Sequence, residues 1–252
     1  MNILIFDTET TSLEKPFCYN VGYIIHDTER DLDLIKRDYV IEQVWHNPML
    51  FSTAYYANKR PLYVKAMRAR KTVLDKFGYV MSQLRRDIAE FHVEHAFAYN
   101  SAFDDKVFTF NCEWFHCINP LDTVAVHDIR GHAIKAIANS KTFREWCECF
   151  CFVTDAGNCS TTAETLYSFI SADPQYCEEH TALADSEIEC EILTWAVANG
   201  AEWTEDYPTP YIKATSNKSL TIYLNGQRFA EFAKVDNVRF ANNKTELRIK
   251  GE

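Results

Sequence analysis

The sequence predicts an α/β or α+β layer fold, because strand-like runs come first, a mainly helical stretch follows and one further strand lies between them. Two properties of the whole chain support this. Its 252 residues suffice for one large domain or a domain with a small appendage. Of these, 47% are hydrophobic and 25% charged, the balance of a folded protein and not of a disordered, collagenous or coiled-coil one.

Residues 2–6 (NILIF) form a short apolar run and are expected as a buried strand. Residues 18–26 and 34–45 are rich in β-branched and aromatic types, with a charged turn from Asp27 to Asp33 between them, so the three runs predict an antiparallel meander. Residues 79–95 place Val80, Leu84, Ile88 and Phe91 on one helical face. The run from Ala96 to Tyr99 reads as another strand. From about 133 to 199 the pattern is mainly helical. Thr161 and Glu164 have capping-box spacing before a helix through Ile170, which Asp173–Pro174 ends. A long helix from Ala182 to Ala198 then stops at Asn199–Gly200.

The segment 203–210 (WTEDYPTP) predicts a boundary, giving domains over 1–205 and 211–252. Beyond it lie alternating strands, with turn signals at Asn225–Gly226, Asp236–Asn237 and Asn242–Asn243, so 211–252 is expected as a small antiparallel β appendage.

No apolar run approaches the roughly 18–20 residues needed to cross a bilayer, so no membrane partner is expected. The start lacks a basic stretch and a small-residue cleavage site, and the expected compartment is the cytoplasm. The nine cysteines lack a Cys-x-x-Cys pair, so reduced core thiols are expected in preference to zinc, and residues 147–152 (CECFCF) read as buried apolar sequence.

A net charge of −10 argues against nucleic-acid binding by bulk electrostatics, yet the charge is unevenly placed. Residues 59–76 carry seven basic side chains against one acidic, 141–210 two against fourteen, and 211–252 eight against four. An acidic stretch flanked by basic ones suits a metal site that serves a polyanion; solvated faces of mixed charge are the alternative.

Asp7 and Glu9 lie two apart at the end of the first strand, so both carboxylates face one point. Two like charges where a buried strand emerges are costly unless a cation neutralises them. A second Asp-Thr-Glu, Asp27–Glu29, sits in a charge-dense turn where water suffices. Asn100 to Asp104 (NSAFD) follows the strand at 96–99, so Asp104 projects from near a strand end; Asp105 is its rival, and a plain turn is the alternative. His180 and Asp185 flank the start of the long helix. Five residues apart, they converge only if the His precedes the first turn. His26 and Asp31 have the same spacing.

In order, DTETTSL from Asp7, NSAFD from Asn100 and HTALADSEIECEIL from His180 resemble the three motifs of the DEDD superfamily of 3′→5′ exonucleases, the DnaQ-like group. Thr181, where one subtype has Tyr, points to the DEDDh subtype. The resemblance spans roughly residues 1–200, with an insertion near 130–160. It implies a ribonuclease H-like mixed sheet flanked by helices. It implies two Mg²⁺ or Mn²⁺ ions held by Asp7, Glu9, Asp104 and Asp185, hard oxygen ligands for hard cations. His180 would be the general base. Thr8, Thr10, Leu13, Asn100 and Phe103 would surround the terminal nucleotide, with Arg68 and Arg70 of the basic run on the backbone. The expected partner is single-stranded nucleic acid, DNA favoured over RNA, with a homodimer through the C-terminal β segment as an option. The alternatives are an exoribonuclease, a non-enzymatic accessory module, or a protein whose acidic residues only solvate its surface.

Overall fold

The computed structural model describes residues 1–154, 157–215, 219–224, 227–232, 237–241 and 246–250, with 210–215 and the last four ranges described by backbone alone. The expected turns at Asn225–Gly226, Asp236–Asn237 and Asn242–Asn243 fall wholly or in part outside the described residues. The chain divides into two compact units, 1–129 with 177–191, and 130–176 with 192–252.

The first unit is built on a six-stranded mixed sheet. Its strands are β1 (Asn2–Thr10), β2 (Cys18–Asp27), β3 (Leu32–Ile41), β4 (Val73–Asp75), β5 (His95–Ala98) and β6 (Ala125–Asp128), in the spatial order β4-β3-β2-β1-β5-β6. The expected meander is there: β1 pairs β2, and β2 pairs β3, both antiparallel. β4, β5 and β6 join in parallel. This is the α/β class read from the sequence.

Strand alternation separates two faces. Leu4, Phe6, Val21, Tyr23 and Ile25 belong to the main apolar cluster, together with Val80, Met81, Leu84 and Ile88 of α4 (Phe77–Glu90) and Val107 and Phe108 of α5 (Ser101–Phe115). On the other face, Asn20, Gly22 and His26 of β2 lie toward α9 (Ala182–Ala198), whose first ten residues belong to this unit. A helical section between β3 and β4 holds α1 (Glu42–Trp45), α2 (Pro48–Phe51) and α3 (Arg60–Arg68).

Several local expectations are corrected. The run 34–45 is not all strand: β3 stops at Ile41 and α1 follows, burying Val44 and Trp45. The helix expected to reach 95 ends at Glu90, with His92 in the left-handed region. Asn100 to Asp104 is no isolated turn but the entry to α5. The cap before α8 (Ala163–Ile170) is Thr162, whose hydroxyl accepts the Thr165 N–H at 3.2 Å, and not Thr161. The expected end of α9 holds, with Gly200 at φ +97°.

The second unit is largely helical, holding α6 beyond Ile129 (Ile129–Ala133), a π-helical turn over Ile134–Ala138, α7 (Lys141–Cys149), α8 and the rest of α9. Phe169 packs edge-on against Phe143 and Trp195. His132 Nε2 lies 3.1 Å from the Glu202 carbonyl, and Tyr207 packs edge-on against the His132 ring. Only Cys147 of the CECFCF run is buried. Cys149, Phe150 and Cys151 are exposed, because an amphipathic helix end turns one side inward. None of the nine cysteines is in a disulfide. The expected C-terminal β appendage is present as β7 (Pro210–Thr215), β8 (Ser219–Leu224) and β9 (Gln227–Phe232) in one antiparallel sheet, and β10 (Asn237–Ala241) with β11 (Glu246–Lys250) in another.

Candidate active site

The site lies where β1 ends. Asp7 stands opposite Gly22 and Glu9 opposite Asn20 in the β1–β2 register. Gly22 is required here by space. A Cβ on it would lie 2.1 Å from the Leu183 nitrogen and 2.2 Å from the Ala182 carbonyl carbon. The N-terminus of α9 therefore rests directly on β2. Asn20 fixes it: its Oδ1 accepts the Ala182 N–H at 2.8 Å and the Tyr63 hydroxyl at 3.0 Å, while its Nδ2 donates to Asp38 and the Tyr39 carbonyl. Ser186 Oγ donates to the Gly22 carbonyl at 3.3 Å.

That seating carries Asp185 to the β1 carboxylates. Asp7, Glu9 and Asp185 each present an oxygen within 4.8 Å of the others. Asp104 enters from the first turn of α5, where the helix N-terminus favours a negative group. Its Oδ1 accepts the Thr8 hydroxyl at 2.5 Å. Asp104 is 3% exposed, whereas its rival Asp105 is exposed. Asn100, left-handed at φ +62°, makes the turn between β5 and α5, and its N–H donates to Asp128 at 2.9 Å.

Burial pushes every one of these carboxyls up. Asp7 is raised by desolvation and by Asp104, and Glu9 by desolvation, Asp7 and Asp185. Desolvation pushes Asp104 up to about 7. Desolvation, Asp7 and Glu178 push Asp185 up to about 9. The common cause is uncompensated negative charge in a dry place. Asp185 Oδ1 is moreover buried with no hydrogen-bond partner. An oxygen-rich, anionic, under-satisfied group of this kind fits hard divalent cations.

His180 precedes α9 in the left-handed region, at φ +50°. It converges with Asp185 as its pre-helical position requires: Glu178, His180 and Asp185 form a second group with ligand atoms within 4.8 Å. His180 Nδ1 lies 3.4 Å from Glu178, and the ring stacks on Tyr56 at 4.3 Å. Lys59 sits over the Tyr56 ring and donates to the Glu179 carbonyl; its charge opposes the rise at Glu9 and Asp185.

The other expected residues are more dispersed. Thr8 is buried against Asp104, and Thr10 is half-buried beyond a register shift after Glu9. Leu13 is exposed, and its carbonyl accepts from Lys106 at 2.9 Å. Phe103 is partly buried against the main apolar cluster. Arg68 lines a groove on α3 with Arg60, Pro61, Val64 and Lys65; exposed Arg70 does not line it.

Four participants escaped the sequence reading. Glu189 is buried, accepts the Tyr99 N–H at 3.2 Å, and is raised by desolvation, Asp7, Asp104 and Asp185. Its spacing of four from Asp185 is a helical signal that would have found it. Glu178 stands two residues before His180. Tyr56 and Lys59 have no sequence signal, because only the folded helical section brings them to His180.

No protein-family model matches the chain, and no curated protein matches it in sequence. Among solved structures, it resembles the nuclease domain of 3′hExo, a DEDDh family member bound to rAMP, at TM-score 0.50 and 13% identity. That match covers 82% of this chain and 96% of the other. E. coli Exonuclease I in complex with a dA16 oligonucleotide follows at TM-score 0.47 and 14% identity, covering 79% of this chain and 41% of that protein. The likeness to the DEDDh domain is one of fold, a mixed sheet flanked by helices.

Proposed function

We propose that the chain is a divalent-metal-dependent 3′→5′ exonuclease acting on single-stranded ends, with DNA favoured over RNA. One observation carries the reading: Asp7, Glu9 and Asp185, from a strand and a helix distant in sequence, bring oxygens within 4.8 Å of one another, beside Asp104 and His180. Mg²⁺ or Mn²⁺, held by Asp7, Glu9, Asp104 and Asp185, would supply the positive charge that offsets these carboxylates and the scissile phosphodiester.

The chain's own groups do the rest. His180, its Nδ1 3.4 Å from Glu178, would take the proton of the attacking water. Glu178 stabilises the imidazolium that results. Tyr56, stacked on the ring, fixes its plane. Thr8 holds Asp104 in place through its hydroxyl. The Thr8–Leu13 segment, Asn100 and Phe103 would receive the terminal nucleotide, and exposed Arg68 and Arg70 the backbone behind it. The β strands beyond residue 210, net basic, would add a grip on longer strands or a pairing surface for a second copy.

A ribonucleotide 3′ end is the second reading, supported by the rAMP in the DEDDh neighbour. The test compares labelled single-stranded DNA, duplex DNA and RNA with Mg²⁺, Mn²⁺ or EDTA. Metal-dependent shortening of single-stranded DNA ahead of the other two is expected. Preference for RNA would move the assignment to an exoribonuclease, and no hydrolysis of any substrate would overturn it.

A further inference from the structure

A second group of unlike ligands lies outside the carboxylate site and shares no residue with it: His26 on β2, Asp33 on β3 and Cys190 on α9 offer ligand atoms all within 4.8 Å of one another. His26 and Cys190 are buried. His26 lies four residues along β2 from Gly22, the partner of Asp7, which is about 13 Å on a strand. The His26 ring meets carboxylates on both nitrogens. Nδ1 is 2.8 Å from Asp33 Oδ1, and Nε2 is 3.5 Å from Asp31 Oδ1. Nε2 is nevertheless buried with no hydrogen bond. A buried imidazole nitrogen left in that state costs stability unless something else engages it.

We propose that His26, Asp33 and Cys190, with Asp31 beside them as a fourth donor, form a structural site for a borderline divalent ion of the zinc class. The donor set is one nitrogen, one sulfur and carboxylate oxygen, the mixture that Zn²⁺ takes and that Mg²⁺ does not. Bonds of about 2.0–2.3 Å in a tetrahedron place ligand atoms roughly 3.3–3.8 Å apart. The group closes onto an ion with side-chain shifts of about an ångström on that scale. The local charge also favours a cation. Lys36, whose Nζ is 3.0 Å from Asp33 and 2.7 Å from Glu187, is shared between those two carboxylates, while Asp31 and the thiolate of Cys190, which gives its proton to solvent on binding, add further negative charge. Such an ion would tie the β2–β3 hairpin to α9, the helix that presents Asp185.

The experiment titrates the full chain, stripped with EDTA under reducing conditions, with Co²⁺ alone as probe. A thiolate-to-cobalt charge-transfer band saturating at one ion per chain is expected, with loss of the band when Zn²⁺ is added. Cys190→Ser should abolish the band, and the double change of exposed Cys149 and Cys151 to Ser should leave it. Carboxylates at the other site give no such band, so its failure is separate from failure of the nuclease reading. Absence of the band in the wild type, or its survival in Cys190→Ser, would overturn the site. Should Cys190→Ser misfold by circular dichroism, thermal melts in saturating Mg²⁺, which fills the carboxylate site, decide: Zn²⁺ must raise the melting temperature of the wild type more than that of His26→Gln. An equal rise in both counts against the proposal.

Discussion

The amide oxygen of Asn20 accepts the backbone N–H of Ala182 at 2.8 Å, so the first turn of α9 is pinned to the strand that pairs with Asp7 and Glu9. The geometry of the site therefore depends on residues that touch no substrate. Gly22, opposite Asp7, leaves the space into which α9 settles.

Gly22→Ala tests this seating. Its Cβ would meet main-chain atoms of Ala182 and Leu183, which cannot rotate away. Overpacking of this kind costs about 1–3 kcal/mol. Urea denaturation should show a lower midpoint, and hydrolysis should fall further than stability accounts for, because Asp185 moves with the helix. Wild-type stability and activity in the variant would remove α9 seating from the account.

The raised carboxyls predict an unusual pH dependence for the metal-free chain. Asp104 at about 7 and Asp185 at about 9 hold protons that the unfolded chain releases near pH 4. Their contribution to stability is fully present below the unfolded value and is lost as pH rises through the folded values. Melting temperature in EDTA should fall between about pH 5 and 9, and Mg²⁺ should reverse the fall at the alkaline end. A metal-free chain whose stability climbs across that range contradicts the crowding of these groups.

His180→Ala should lower turnover by roughly 10²–10⁴-fold with little change in metal affinity, since the ring is assigned to the water and not to the ions. Rate at saturating metal, compared with metal affinity by calorimetry, separates the roles. Lost affinity with an unchanged saturated rate would make His180 a ligand.

Arg68→Gln with Arg70→Gln probes the basic run. Each phosphate contact on a single strand contributes about −0.7 to the slope of log K against log salt, so losing one or both flattens it by about 0.7–1.4. An identical slope would leave the two arginines as solvated surface.

The fold was legible wherever one physical signal dominated. The runs rich in β-branched and aromatic residues at 18–26 and 34–45 hold β2 and β3, the latter stopping at Ile41, and the apolar helix closed by Asn199–Gly200 became α9 with its bounds as expected. Residues 42–45 were misread because Val44 and Trp45 are buried in either conformation, so composition could not separate a helical turn from a strand. Asp7, Glu9, Asp104 and Asp185 were legible from strand ends and helix entry. Tyr56 and Lys59 were not, because their meeting with His180 is made by the fold of the helical section and leaves no spacing in the chain.

If these carboxylates hold metal for hydrolysis at a 3′ end, a single-stranded DNA labelled at its 5′ end and incubated in Mg²⁺ with the wild type gives a ladder that shortens one nucleotide at a time from the 3′ end. The ladder should be absent in EDTA and absent with a folded Asp7→Ala. Full activity in Asp7→Ala, or cleavage that ignores EDTA, would contradict that role.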